Sequence, residues 1–375
     1  MSSDFIPVNE PLLDGNEAKY LAECIQTGWI STDGPFVRQF EQQVAQRFAR
    51  KCGIAVTNGS AALDTAVAGL KLKTGDEVIL PAFTIISCAA AIVRMGAIPV
   101  VIDSDPATWN MDTAQIAQKI TSRTRAIMAV HIYGLPTDMD PILKLAKEHG
   151  LKIIEDAAEA IGQTCRGRPC GSFGDISTLS FYPNKHITTG EGGMLLTDDE
   201  NLAERCRSLR NLCFGEKRFV HHELGWNFRM SNLQAAVGVA QLERLDRFIE
   251  RKREMGARYH QLLENVPGLQ LPLKATGYAE NIYWVYGIVL KDDVSFDAEF
   301  AMKELRHRGI GTRPFFWPIH TQPVLREMGL FADVACPVAE RLGRRGFYLP
   351  SGLSITEAQQ GRVADALKAM VAKKA

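Results

Sequence analysis

From about residue 53 the chain alternates short apolar, β-branched runs with longer stretches whose apolar positions recur at helical spacing. CGIAVTNGS reads as a strand ending in a turn, and AALDTAVAGLKL as the helix after it. DEVILPAFT reads as a strand followed by a helix from Ile85 to Met95. IPVVID, RAIMAVHIYG and LKIIEDAAEA continue the strands, the last two separated by the helical DPILKLAKEHG. Strands interleaved with helices in this way predict a mostly parallel sheet covered on both faces. ISTLSFYP and GGMLLTD stand too close for a crossover helix and are expected to be adjacent strands. NLQAAVGVAQLERLDRFIERKREMGARYHQLLENV is a long helical pattern, and beyond it the character changes. NIYWVYGIVL reads as a strand, FDAEFAMKELRHRG as a helix and EAQQGRVADALKAMVAKK as a closing helix. The fold class is therefore α/β. A large domain spans residues 1–249, and a smaller α+β domain spans 250–375, with the N-terminal segment free to pack on the latter.

Composition narrows the functions available. The 375 residues are 46% hydrophobic and 23% charged, and 43 Lys+Arg balance 43 Asp+Glu. Such a chain has the core of a globular protein and no overall basic footprint for nucleic acid or an anionic membrane. The eight cysteines are scattered, with no Cys-x-x-Cys pair and no histidines at zinc spacing, so no metal is expected. They read as reduced thiols of a cytoplasmic protein. The start, MSSDFIPVNEPLLDGNEAKY, lacks the order of a signal peptide. The most apolar window, SCAAAIVRMGAIPVVID, is broken by Arg94, Gly96 and Pro99 and reads as a helix and a strand, not a membrane span.

Candidate chemistry gathers where strands end, the edge at which open α/β sheets bind ligands. Asn58-Gly59-Ser60 lies between a strand and a helix. Glycine there admits a close approach, and the first amides of the helix suit an anion such as phosphate. By itself the same triplet also reads as an ordinary helix N-cap. Neither a P-loop nor an early Gly-x-Gly-x-x-Gly is present. Glu155 and Asp156 end the apolar KIIED run, and Lys185 follows the strand STLSFYP and precedes the glycine turn TTGEGG. Each alone would be a cap or a surface residue. Together they make an anion cradle, a buried acid and an amine along one sheet edge. Pyridoxal 5'-phosphate uses all three: a lysine for its Schiff base, an acid that keeps its ring nitrogen protonated, and a phosphate cradle.

EDAAEAIG, GSFGDISTLSFYPNKHITTGEGGMLLTDD, GWNFRMSNLQAAVGVAQLERLD and RPFFWPIH together resemble the DegT/DnrJ/EryC1/StrS family of nucleotide-sugar aminotransferases over nearly the whole chain. The resemblance implies an aspartate-aminotransferase-type fold that cycles between pyridoxal and pyridoxamine 5'-phosphate. Lys185 would be the Schiff-base lysine and general acid/base, and Asp156 the partner of the ring nitrogen. Ser60 and Ala61 would offer amides to the phosphate beside Gly59, Ser180 would offer a hydroxyl, and Asn227 would reach in from a second copy of the chain. A homodimer with shared sites follows. Glu159 stands where many relatives have glutamine near the ring hydroxyl. NKHITTGEGGM and RPFFWPIH narrow the match to the branch that transfers the amine of L-glutamate to C4 of GDP-4-keto-6-deoxymannose, with UDP- and dTDP-linked keto sugars as the next choices.

Relatives carry an aromatic ring after the threonine of PAFTIIS, where this chain has Ile85, so either Ile85 or Phe83 would face the cofactor ring. Arg229 would meet the donor carboxylate or bridge the subunits. Arg313, Trp317 and His320 would face the sugar or its phosphates. His131 reads as structural or lining, His186 as a neighbour of the lysine, and His221 and His222 as loop residues. Sugar dehydratases on the same scaffold carry histidine at the lysine position, so Lys185 speaks against that chemistry. A regulatory or binding protein without catalysis is opposed by the Asp156 and Lys185 pair.

Overall fold

A computed structural model describes residues 5–217 and 219–372. Its strands in chain order are β1 (Cys52–Val56), β2 (Glu77–Pro81), β3 (Ile98–Ile102), β4 (Thr124–Val130), β5 (Lys152–Asp156), β6 (Thr164–Cys165), β7 (Arg168–Pro169), β8 (Ile176–Ser180), β9 (Gly193–Thr197), β10 (Leu269–Gln270), β11 (Tyr286–Leu290), β12 (Arg313–Pro314) and β13 (Gly346–Leu349). Seven of them form one sheet in the order β1-β9-β8-β5-β4-β2-β3. The pairs β2/β3, β2/β4, β4/β5 and β5/β8 are parallel, while β9 runs antiparallel to both β8 and β1. Having no helix between them, β8 and β9 fold back on one another as their spacing predicts. The inner strands are buried along nearly their whole length, as two helical layers require.

The helix Gly59–Gly69 is buried almost all round and rich in alanine, so its backbone lies close against the sheet and two other helices. Asn58 caps it by accepting the Ala61 amide at 2.8 Å. Register sets Val130 beside Asp156 and Asp156 beside Thr178, so the carboxyl ends of β4, β5 and β8 open on one edge.

The second sheet, β10-β11-β13-β12, packs with the helices Leu245–Leu263, Ala298–His307 and Glu357–Ala372. Ile6 joins this unit by pairing with its backbone: its amide reaches the Gly309 carbonyl and its carbonyl takes the Gly311 amide, both at 2.8 Å. The long helical pattern is divided into Asn232–Leu242 and Leu245–Leu263, with Arg244 at φ −118° between them. The second helix gives Leu245, Phe248 and Ile249 to the core of the large sheet and Met255, Tyr259 and Leu263 to that of the small one.

The expected strand 281–290 forms only from Tyr286. Before it, the Ile282 amide turns to the Gly134 carbonyl at 3.2 Å and the Trp284 indole to the Asn184 carbonyl at 2.7 Å. These bonds tie the residues before Tyr286 to loops of the large sheet. No helix among the described residues is long and apolar enough to cross a membrane. Nor do three or more of their His, Cys, Asp or Glu side chains gather where they could hold a metal ion.

Candidate active site

A cavity of about 560 Å³ opens at the carboxyl edge of the large sheet. Gly59, Ser60, Ile85, Asp156, Glu159, Ser180 and Lys185 all line it. Asp156 and Glu155 follow one another on β5, and strand alternation sends them to opposite faces. Asp156 is on the cavity side, where one carboxylate oxygen accepts the Ala158 amide at 3.0 Å and the other the Cys88 thiol at 3.4 Å. Glu155 faces away and clasps the 171–174 turn through the amides of Gly171, Phe173 and Gly174 and the Ser177 hydroxyl. His131 also binds Glu155, through Nε2 at 3.0 Å, and accepts the Thr137 amide on Nδ1. Both residues are fully buried and belong to the scaffold.

Lys185 sits on a tight turn, its amide bonded to the Tyr182 carbonyl at 2.9 Å. Its Nζ lies 3.8 Å from Glu159 Oε1 and 3.8 Å from the centre of the Trp284 ring. Glu159 is held by the Tyr133 amide at 3.0 Å, from a residue in the left-handed region at φ +55°. Burial pushes the Lys185 amine below the ordinary lysine range, against the pull of Glu159 and Asp156. Burial likewise pushes Asp156 and Glu159 upward, and the lysine opposes both shifts. The cavity floor thus holds an amine made easier to deprotonate, with two buried carboxyls around it.

The cradle is set by a missing side chain. A Cβ on Gly59 would come within 2.7 Å of the Ser180 Cβ, so glycine lets the helix start meet the end of β8. The Ala61 amide, expected at the phosphate, donates here to the Asn58 cap. The amides of Gly59 and Ser60, which lack intrahelical acceptors, remain at the cavity edge with the hydroxyls of Ser60, Ser87 and Ser180.

Ile85 lines the cavity and is 41% exposed, whereas Phe83 is buried among Tyr133, Phe315 and Phe316. Of the two alternatives, Ile85 is the one that faces the open space.

Other expected site residues are not brought to this cavity within one chain. Asn227 is exposed and bridges to Asn211 through its backbone. Arg229 donates to Asn211 Oδ1 at 2.6 Å and lines a separate cavity of about 580 Å³ with Arg207 and Arg210. His320 is fully buried and 2.9 Å from Glu340 Oε1, an ion-pairing position away from the cavity. Trp317 is 60% exposed. Arg313 is exposed on β12, opposite Tyr348 of β13. From RPFFWPIH it is Phe316 that lines the cavity, joined by Tyr348 and Trp284. These three had no sequence signal beyond an apolar run, because docking of the second sheet and its approaches puts them there. His186 is buried next to Lys185, with Nε2 3.4 Å from the Ile282 carbonyl, while His221 and His222 lie in an exposed loop.

Known proteins resemble this chain over most of its length. The GDP-perosamine synthase of Caulobacter vibrioides is 41% identical over 96% of this chain and 97% of its own length. That of Escherichia coli O157:H7 is also 41% identical, over 95% of each chain. The crystal structure of the aminotransferase TlmJ from Streptoalloteichus hindustanus superposes with a TM-score of 0.91 at 30% identity, covering 98% of this chain and 99% of that one. The sequence profile of the DegT/DnrJ/EryC1/StrS aminotransferase family matches residues 11–368. With its mostly parallel sheet, its lysine and acid at the sheet edge and these relatives along its whole length, the chain belongs to the DegT/DnrJ/EryC1/StrS aminotransferase family.

Proposed function

We propose that this chain uses pyridoxal 5'-phosphate to move the amino group of L-glutamate onto C4 of a nucleotide-linked 4-keto-6-deoxy sugar. GDP-4-keto-6-deoxymannose is the preferred substrate and GDP-perosamine the product. The observation that carries the chemistry is the placement of the Lys185 amine and the Asp156 carboxylate in one buried cavity beside the glycine-opened helix start. The 41% identity to two GDP-perosamine synthases supports the choice of sugar.

The residues present fit the cofactor. Lys185 would carry it on Nζ, and Asp156 would face its ring nitrogen, a buried carboxylate that rewards a cationic partner. Gly59, Ser60 and Ser180 would hold its phosphate, with Ile85 against the ring and Glu159 near the ring hydroxyl. When bound, the cofactor supplies an electron sink for the carbon that loses or gains a proton. Lys185, once its amine is free, would move that proton, and burial, which lowers its pKa, makes the amine easier to deprotonate. The aromatic wall of Trp284, Phe316 and Tyr348 would exclude water and bound the sugar side. Asn227, exposed in one chain, would complete the phosphate site of a second copy in a homodimer, with Arg229 toward the donor carboxylate or the subunit contact. Arg313 would lie at the outer rim, near the sugar or nucleotide phosphates.

A spectral titration tests this. The protein is converted to its amine form with excess L-glutamate, freed of donor, and given GDP-, UDP- and dTDP-linked keto sugars separately. Return of the lysine-bound absorbance with the GDP sugar alone supports the proposal. Return with a UDP or dTDP sugar moves the substrate and keeps the chemistry. If glutamate never changes the absorbance, aminotransfer from this donor is refuted.

A further inference from the structure

Behind the cavity lies a buried lysine that the chemistry above does not use. Lys252, on the helix Leu245–Leu263, is 1% exposed. Its Nζ donates to the carbonyls of Trp284, at 2.9 Å, and Ser351. Among the described residues no carboxylate bonds it, although an ammonium in such a place is expensive to bury. Burial lowers its amine to about 7. Across from it stands His186, lowered to about 3 by burial first and then by Lys252, and so uncharged at neutral pH. Ser351 in turn accepts the Tyr286 amide on its hydroxyl at 2.8 Å and gives its own amide to the Val8 carbonyl at 2.9 Å. Lys252 thus ties together the two stretches that enter and leave the second sheet.

One of those stretches carries Trp284, the residue whose ring rests on Lys185. Trp284 is fixed at two polar points, its indole N–H on the Asn184 carbonyl and its own carbonyl on Lys252. Its ring packs on Tyr133 and Tyr348 with centroids 5.6 and 6.3 Å apart, and Lys185 Nζ lies 3.8 Å from its centre. A cation over an indole face is attracted by the ring's electron density, so this contact favours one place for the lysine ammonium.

We propose that Lys252 is a positioning residue for Lys185: acting through Trp284, it holds the indole against which the freed lysine rests as its ammonium, so that Nζ stays aimed at one point in the cavity. The inference rests on Lys185 being the cofactor lysine.

The test follows capture of the cofactor, not turnover. Holoenzyme is stripped of cofactor and recharged with pyridoxal 5'-phosphate, and the growth of lysine-bound absorbance is timed across a pH series. Lys252→Met and Trp284→Leu are each expected to slow capture roughly tenfold, as misplacement of a reacting group does. Both should also move the pH midpoint of capture downward, because the ring no longer favours the ammonium. The double variant should be no slower than the slower single, since both act through one contact. Lys252→Gln, which still donates to a carbonyl, should recover most of the rate. Lys252→Ala carries the comparison if Lys252→Met does not fold. Unchanged rate and midpoint in a folded Lys252→Met or Lys252→Ala, or additive losses in the double variant, would overturn the inference. A wild-type protein that captures no cofactor would instead refute the reading of Lys185 itself.

Discussion

The floor and the wall of the cavity are built in different ways. The floor comes from the ends of β5 and β8 and the start of the helix Gly59–Gly69, and its groups are polar, titratable and locally fixed. The wall comes from Phe316, Tyr348 and Trp284, aromatic residues delivered by the second sheet and its approaches. Chemistry that needs a charge or a proton sits where strand ends dictate side-chain direction. Shape and exclusion of water come from packing between two sheets, with Tyr133 touching all three wall rings. Loss of a floor group should therefore abolish a step, while loss of a wall group should only weaken one.

Substitutions can break or sharpen that contrast. Lys185→Ala should have the largest effect, lowering glutamate half-reaction rates by roughly 10³-fold or more while the protein still binds cofactor noncovalently; single-turnover absorbance measures both. Normal turnover by this variant would remove the floor from the account. Asp156→Asn should follow, with a loss of at least about a hundredfold in the same assay, because a neutral amide no longer holds the ring proton electrostatically. Phe316→Ala is expected to raise KM for the keto sugar about tenfold and leave the glutamate half-reaction nearly unchanged. A loss confined to the glutamate step would put Phe316 on the floor side of the comparison.

Lys252 gives a smaller, pH-dependent effect. Its amine is depressed by burial, so between about pH 7 and its unfolded value the unfolded chain binds more protons than the folded one. Wild-type stability relative to Lys252→Met should accordingly rise from pH 7 to pH 10 and be flat below 7. Thermal midpoints of the two proteins across that series check the sign; a flat difference above pH 7 would contradict it. His320→Gln should do least, costing about 1 kcal/mol of stability through its bond to Glu340, with turnover within about twofold. A large fall in sugar turnover would return His320 to the site.

Much of the floor was legible in the sequence. Alternating strands and helices gave the parallel sheet, and the short gap before GGMLLTD gave the β8/β9 pair. Asp156, Lys185 and Gly59 could be read because each ends or follows a strand or opens a helix, positions whose direction local geometry sets, whereas Ser180 came from the resemblance. For Ala61 two acceptors compete, an anion and the Asn58 side chain that takes its amide, a choice the sequence leaves open. The wall was not legible. NIYWVYGIVL looks like one strand, yet its first half leaves the ladder to bond the loops of the other sheet, which is how Trp284 reaches Lys185. Within RPFFWPIH the rings Phe315, Phe316 and Trp317 are equivalent by type. Only docking makes Phe315 core, Phe316 lining and Trp317 exposed.

The most direct test of the account is to find which lysine carries the cofactor. The protein is loaded with pyridoxal 5'-phosphate, reduced with borohydride, digested and mapped by mass spectrometry. The account predicts a pyridoxyl phosphate adduct on Lys185 at close to one per chain, absent from Lys185→Ala. An adduct on Lys252 or another lysine, or none at all, would contradict it.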